Sequence, residues 1–377
     1  MTRRLDYWCA LATVLTAGAL VFPIAGGDAP LNWWDVPILL SGLLVFLLAV
    51  AWFAGRGPQR PRDNAVLLAA VVVGCAASLS IVHGHAGGHA ALGVWLLVLG
   101  LWAAAWRGLD GIAGLRSLKA GRQRLIDLSV PVVFGLWLVF LWEVGTVGFG
   151  VPQVLLPAPS VIAVRIAGSL AILAADFQQT FMKAVLIGYV IGCATGFLVA
   201  VLVDRVPFLQ RGLLPLGNLV SALPIVGIAP IMVMWFGFDW PSKAAVVVIM
   251  TFFPMLVNTV TGLATAGTQD RELMRSYAAG YWQTLFKLRL PAALPFVFNA
   301  LKINSTLAMI GAIVAEFFGT PIVGMGFRIS TEVGRMNVDM VWAEIVMAAL
   351  AGSAFYAVMA LTERAFTFWH PSYRERR

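Results

Sequence analysis

The sequence predicts an all-α protein that crosses a membrane about ten times. Three observations carry that expectation. First, 60% of the 377 residues are hydrophobic and only 12% are charged, whereas soluble domains carry about a quarter charged residues. Second, the apolar residues are gathered into continuous runs of roughly membrane-spanning length, near 20 residues each. A transmembrane barrel would instead alternate in pieces of about ten residues. Third, the basic residues are not scattered but fall between alternate runs, as orientation by the positive-inside rule requires.

The runs cover 8–25, 36–54, 65–82, 90–106, 130–148, 180–203, 213–236, 243–262, 295–317 and 341–361. Backbone polar groups inside lipid must be satisfied within the segment, so each run is expected to be helical. The first follows Arg3 and Arg4 and could imitate a signal peptide. Pro23–Gly27 lacks a small-x-small cleavage pattern, so it is read as a retained helix. With the N-terminus placed inside, 20 of the 26 Lys and Arg residues lie on the cytoplasmic side. Five, Arg165, Lys183, Lys243, Arg328 and Arg335, lie on the other side, and Lys302 lies near the inner end of its helix. The expected topology therefore has both termini cytoplasmic.

The net charge of +8 is explained by those loops, and nucleic acid is not an expected partner. Membrane lipid is. Cys9, Cys75 and Cys193 each sit inside an apolar run, without metal-ligand spacing, and read as packing residues rather than disulfides. His83, His85 and His89 share one glycine-rich loop. A metal site or pH sensor is one reading of them, a short polar loop the other; no Cys or carboxylate in the loop completes a metal shell.

Organisation follows from composition. Residues 1–106 hold four helices, 107–129 form a basic amphipathic linker suited to the inner leaflet, and 130–377 hold six more helices. The longest cytoplasmic loop of the last part, 264–295, is itself structured. Thr268 is placed to cap a helix running to Ala279, Glu272 and Arg275 are three apart, and Gly280 is placed to stop it. A second short helix from Tyr281 is expected to end before Pro291. Leu273, Met274, Tyr277, Trp282, Leu285 and Phe286 give this hairpin an apolar face. Such a face fits either a groove on a soluble partner or the headgroup layer of the membrane.

This stretch resembles the coupling loop, or EAA motif, of permease subunits in bacterial binding-protein-dependent ABC importers. That pattern is Glu-Ala-Ala, three residues, Gly, nine residues, Ile, any residue, Leu-Pro. Anchored on Leu290-Pro291, the motif Glu falls on Glu272, the paired alanines on Leu273 and Met274, the Gly on Ala278 and the Ile on Leu288. Three positions have drifted, and a glycine stands two residues late at Gly280. Leu155-Leu156-Pro157-Ala158-Pro159-Ser160, Pro291–Pro295 and Ala315-Glu316 are similar to elements of the nitrate, sulfonate and taurine branch. The likeness covers about residues 125–370.

The resemblance implies a six-helix type I importer core preceded by four extra helices. It implies a homodimer of permeases, two copies of a separate ATPase that bind ATP and Mg²⁺, and a periplasmic or lipid-anchored binding protein. Residues 272–274, Tyr277, Ala278, Gly280, Leu290 and Pro291 would engage the ATPase. The chain itself has no Gly-x4-Gly-Lys-Ser/Thr phosphate loop, so it is not expected to be an enzyme or to hold a cofactor. The substrate would be a sulfonate-, nitrate- or taurine-like anion, or a pyrimidine or vitamin precursor.

Polar groups inside spans are candidates for the pathway: Asn258, Asn304 and Glu316, with Ser221, Pro224, Gly227 and Pro230 in a span that prolines should break. Helix–helix hydrogen bonding is the competing reading for the asparagines. Asp204-Arg205 and Asp239–Lys243 read as ordinary loops. Two other functions remain open from residues alone. An ion-coupled secondary transporter would need buried charges and an inverted repeat, and neither stands out. A membrane scaffold would need neither nucleotide nor substrate.

Overall fold

The computed structural model describes residues 6–26, 30–56, 61–84, 90–115, 120–206, 208–213, 215, 224–319 and 322–369. Within them the chain is helical throughout its runs. Eight helices are long and apolar enough to cross a membrane. The packing divides into two units, Met1–Ala163 and Val164–Arg377.

In the first unit, α1 (Tyr7–Ala19), α2 (Pro37–Ala54), α3 (Pro61–Gly84), α4 (Leu92–Ala113) and α5 (Ala120–Gly148) pack as neighbours, α1 on α4 and α5 on α3 and α4. α1 has only 13 residues, about 20 Å of helix, well short of the expected span. It still reaches across. At its start Asp6 pairs with Arg107 at 2.5 Å and its amide bonds to Ala54. Beyond its end Ala25 bridges to Leu31 and Ala90, at the other tips of α2 and α4. Turns over 20–24 complete the crossing, pinned by the buried Trp33 donating to the Ala19 carbonyl at 2.7 Å. Residues 107–113 continue α4 and 120–129 open α5, so the expected linker is mostly helix continuous with its neighbours.

His83 faces acceptors at both ring nitrogens: Glu143 at 2.9 Å from Nε2 and the Leu79 carbonyl at 3.0 Å from Nδ1. Glu143 also accepts from the Ser160 amide (2.8 Å) and hydroxyl (2.6 Å), which secures the first turn of α6 (Pro159–Gly168). His83 is thus a packing partner. His85 and His89 lie outside the described residues.

In the second unit, α7 (Leu170–Arg205), α8 (Ile225–Phe236), α9 (Trp240–Ala264), α11 (Tyr281–Glu316) and α13 (Val338–Phe366) form the bundle, with the short α10 (Thr268–Ser276) and α12 (Met325–Gly334) at its ends. α7 lies against α9 through Gly188, Gly192 and Gly196, one helical turn apart. A Cβ there would sit 2.7 Å from the Ala244 carbonyl, 2.9 Å from that of Val248 and 2.5 Å from that of Phe252. Small residues at this spacing let helix backbones approach where lipid supplies no hydrophobic drive. α7 and α11 each run 36 residues, about 54 Å, so both outreach a hydrocarbon layer of about 30 Å. Each contains a π-turn, at Gln178–Val185 and Leu285–Arg289.

The span expected at 213–236 is met by the 12 residues of α8, opened by Pro224 with extended backbone; Pro230 lies inside the helix. Its crossing is nevertheless fixed. Asp204, at the end of α7, pairs with Arg289, while Asp239, opening α9, accepts from Gln179 in the first half of α7, so α7 ends and α9 begins at opposite ends of the bundle.

Candidate functional site: a helical hairpin bolted to the bundle

α10, a left-handed turn and the start of α11 form the hairpin expected from the sequence. α10 begins one residue earlier than read: Gly267 is its N-cap, Thr268 its first residue, and no side chain caps it. It stops at Ser276. The Ala279 amide bonds back to the Met274 carbonyl (3.0 Å) and the Ala278 amide to that of Arg275 (2.9 Å). This is a Schellman turn, whose C′ residue must be left-handed. That residue is Ala278, with φ +53°. The position the motif assigns to glycine therefore keeps glycine's conformation without its side-chain freedom. Gly280, at φ −69° and ψ 169°, is the N-cap of the next helix, so the turn has not moved to it.

The second helix does not end before Pro291. It passes through the π-turn 285–289 and continues as α11 to Glu316, with Leu290 and Pro291 in its first α-turn. A π-turn widens the backbone, which makes room for a proline that would otherwise clash with the preceding turn and leave its carbonyl unpaired.

The hairpin is bolted on. Arg289 donates from both terminal nitrogens to Asp204 at 2.6 Å each, and from Nε and Nη2 to the Leu263 carbonyl at 3.1 and 2.9 Å. Asp204 also accepts from the Tyr281 hydroxyl at 3.2 Å. Arg271 donates to the Ala264 carbonyl at 2.8 Å. Asp204 is not an ordinary loop residue: its side chain is 9% exposed, and Arg289's is 14%. A planar guanidinium meeting a carboxylate in this two-pronged way fixes orientation as well as distance. The ends of α7 and α9 and the root of α11 therefore move together. Arg205 stacks over Tyr281 and Trp282 at 5.4 and 5.8 Å.

The outward face of the hairpin is apolar and bare. Leu273 is 56% exposed, Tyr277 77%, Trp282 52% and Phe286 60%, and Glu272 is exposed among them. Met274 is half-buried, and Leu285 is buried with Leu263 and Ala293.

The sequence profile of the family described as "Binding-protein-dependent transport system inner membrane component" matches residues 188–368, which include this hairpin and its bolts. The formylaminopyrimidine transport permease protein ThiX of Halalkalibacterium halodurans is 31% identical over 247 residues, 66% of this chain and 98% of that protein. The chain belongs to the family of ABC importer permeases. The riboflavin transport system permease protein RibX of Chloroflexus aurantiacus is 29% identical over 65% of the chain and 91% of its own length. The putative aliphatic sulfonates transport permease protein SsuC of Bacillus subtilis is 27% identical over 68% and 92%. The 247 aligned residues of ThiX exceed the 214 of the second unit (377 less 163), so the match reaches into the first unit.

At the end of the permease opposite the hairpin lies a buried polar cluster. Glu316 accepts from the Thr180 hydroxyl (2.8 Å) and the Gly326 amide (2.7 Å), and Thr180 accepts from the Met325 amide (2.8 Å). Asp176 accepts from the Gly324 amide (2.6 Å) and Arg328 Nε (2.8 Å), and this pairing raises the Arg328 pKa. Lys243, 1% exposed, spends its protons on the carbonyls of Phe238 and Gly319 and on Ser242. It is thus a buried latch in α9 and not the loop residue expected. Asp239 accepts from the Trp240 amide and from Gln179, and these bonds, the first foremost, hold its carboxyl below the usual range. These side chains hold both ends of the segment joining α11 to α12.

Of the pathway candidates, Ser221 lies outside the described residues. Pro224 and Gly227 are exposed and Pro230 is half-buried. Asn258 donates within its own helix to the Pro254 carbonyl at 2.8 Å. Asn304 is fully buried and donates to the Thr251 carbonyl at 2.7 Å and Cys193 Sγ at 3.2 Å, joining α11 to α9 and α7. Among the described residues, no hydrogen bond brings these candidates together. An open groove of about 490 Å³ is lined by Ile187, Ile191, Met232, Trp235, Ala244 and Val248. None of the candidates lines it, and its aliphatic and aromatic walls offer little to a small anion.

Sequence reasoning missed the Asp204–Arg289 pair at the hairpin and, at the opposite end, the parts played by Asp176 and Lys243. The available signal was ionisable residues within or at the tips of apolar runs, which read as functional unless paired.

Proposed function

We propose that the permease takes its driving force at the hairpin 264–295, through Glu272, Leu273, Met274, Tyr277, Ala278, Gly280, Leu290 and Pro291, from a separate ATPase. That partner binds the ATP and Mg²⁺, two copies serve a permease homodimer, and this chain is not itself catalytic. One observation carries the reading: a bare apolar face on an element bolted to α7 and α9 by Arg289, through Asp204 and the Leu263 carbonyl. A rigid element of this kind passes on a partner's closure as rigid-body motion, the form alternating access takes. A hairpin resting on headgroups would need no such bolt.

Residues 130–377 are the permease core on this reading, and residues 1–106 are an addition to it. Both termini lie in the cytoplasm of a cell bounded by that inner membrane, which puts the hairpin on the ATP side. Substrate arrives on a periplasmic or lipid-anchored binding protein. Relatives are named for formylaminopyrimidine, riboflavin and aliphatic sulfonates. The substrate here is accordingly a sulfonate-, nitrate- or taurine-like anion, or a pyrimidine or vitamin precursor.

The test is copurification of the tagged full chain from solubilised native membranes, followed by ATPase assay. Wild type should bring down an ATPase and lose it on Tyr277→Asp with Trp282→Asp. A wild-type chain that emerges alone, indifferent to nucleotide, would overturn the coupling assignment. A binding protein in the same preparation then leads to the substrate by ligand screening.

A further inference from the structure

Glu344, in the second turn of α13, is 0% exposed, and neither of its carboxyl oxygens has a hydrogen-bond donor. Among the described residues, every other buried carboxylate at this end of the bundle is supplied. Asp176 has Arg328 and the Gly324 amide, and Glu316 has Thr180 and the Gly326 amide. Glu332 has Arg335 and Asn337. Asp339, nearer the tip of α13, has Arg165 at 2.7 Å and the Met340 amide at 2.8 Å.

What Glu344 does have is Asp176. Leu173 of α7 packs against Met340 and Ala343 of α13, and one turn further along both helices this packing sets the buried carboxyl groups of Asp176 and Glu344 beside each other. The charged groups acting on Glu344 are Asp176 from α7, Glu316 from α11 and Arg328 from α12; Lys243 of α9 acts on Glu316 and is bonded to the Phe238 and Gly319 carbonyls. Two carboxyl groups can touch in a dry site only if a proton lies between them, since neither carboxylate is a donor and like charges exclude each other there. The Arg328 donors at Nε and Nη2 already serve Asp176.

We propose that Glu344 is a proton-binding site: a neutral carboxylic acid that donates its hydrogen to Asp176 and so locks the 324–328 segment against α7. The proton is taken from water as the bundle closes and returned to water when the site opens. Ionised, Glu344 would set a third anion beside Asp176 and Glu316 with Arg328 as their near counter-charge. The amides of Gly324, Met325 and Gly326 would then lose firm acceptors, and the segment would loosen. Alkaline pH thus unlocks this end of the permease.

The test uses the full-length chain in lipid nanodiscs, with infrared and thermal readouts. At neutral pH the wild type should show the carbonyl stretch of a protonated carboxylic acid. The band should shift on ¹³C-glutamate labelling, vanish on alkaline titration and be missing in Glu344→Gln. Because only the folded state holds this proton, wild-type melting temperature should fall as pH rises, and Glu344→Gln should flatten that slope while melting no lower at neutral pH. A labelled wild type without the band would overturn the proposal, whether or not the variant folds. So would a band that survives Glu344→Gln. Stabilisation by sodium at fixed pH, lost in the variant, would replace the proton by a cation and equally overturn it.

Discussion

Ala278 carries the cost of a drifted motif. A non-glycine residue in the left-handed region costs about 1–2 kcal/mol relative to its usual conformations, and Ala278 sits there at φ +53° because the Schellman turn demands it. Ala278→Gly should therefore stabilise the permease, by about 1 kcal/mol once glycine's greater freedom in the unfolded chain is set against the relief. Ala278→Val should destabilise it, since a β-branched side chain tolerates this region least. Paired melting curves in detergent check both, and equal melting of the two variants would remove the strain argument. At this scale the sequence was half legible. Counting back from Leu290-Pro291 placed the special backbone position on Ala278 correctly, but nothing in the residue type announced it. Alanine there reads as ordinary helix, and the nearby Gly280 drew attention to the wrong residue.

Helices meet in this permease at places that a hydropathy profile cannot register. Gly188, Gly192 and Gly196 lie in an apolar run like any other, yet they set the distance between α7 and α9. Gly192→Ala would press a methyl into the Thr251 hydroxyl and the Val248 carbonyl. Backbone cannot yield as a flexible side chain can, so a loss of about 1–3 kcal/mol is expected, read as a lower melting temperature. Gly135→Ala in α5 meets open space and serves as the control that should change little. The bolt between elements is equally invisible in a profile. Asp204 and Arg289 are 85 residues apart, and only folding shows that they meet. Removing one partner of a buried pair costs about 3–5 kcal/mol, part of which the Leu263 carbonyl retains for Arg289. Asp204→Ala should leave the hairpin's outer face intact while freeing its root. Uptake in membrane vesicles should then fall at least tenfold, with much smaller loss of ATPase copurification. Equal loss of both would mean that the pair shapes the docking face itself.

The whole molecule poses a question of boundaries. Apolar runs and basic loops were enough to read ten crossings, because both follow from the bilayer as solvent. They were not enough to divide the chain, because packing leaves no periodic mark. Trp137, Phe140 and Val144 of α5 are buried in the core of the first unit with α3 and α4, and Glu143 holds His83 and Ser160 together. The match to ThiX must nevertheless reach back from the second unit by at least 33 residues (247 less 214), to Pro131 or beyond, which takes in at least residues 131–148 of α5. α5 is therefore shared: most of it falls in the matched segment, and it packs with α3 and α4. A truncation that removes residues 1–106 does not cut at a packing boundary. It strips α5 of the α3 and α4 side chains that cover it and leaves Glu143 without its imidazole partner. In lipid the bared apolar residues lose packing contacts rather than meeting water, so the penalty is moderate and the shortened chain should still insert. Its melting temperature should fall by several degrees, and Glu143→Gln should recover part of that fall, because a neutral amide tolerates the lost partner better than a buried carboxylate. The shortened chain is measured beside full length in nanodiscs of one composition. Unchanged melting would show that α5 needs no cover, and that the four helices serve some purpose other than holding it.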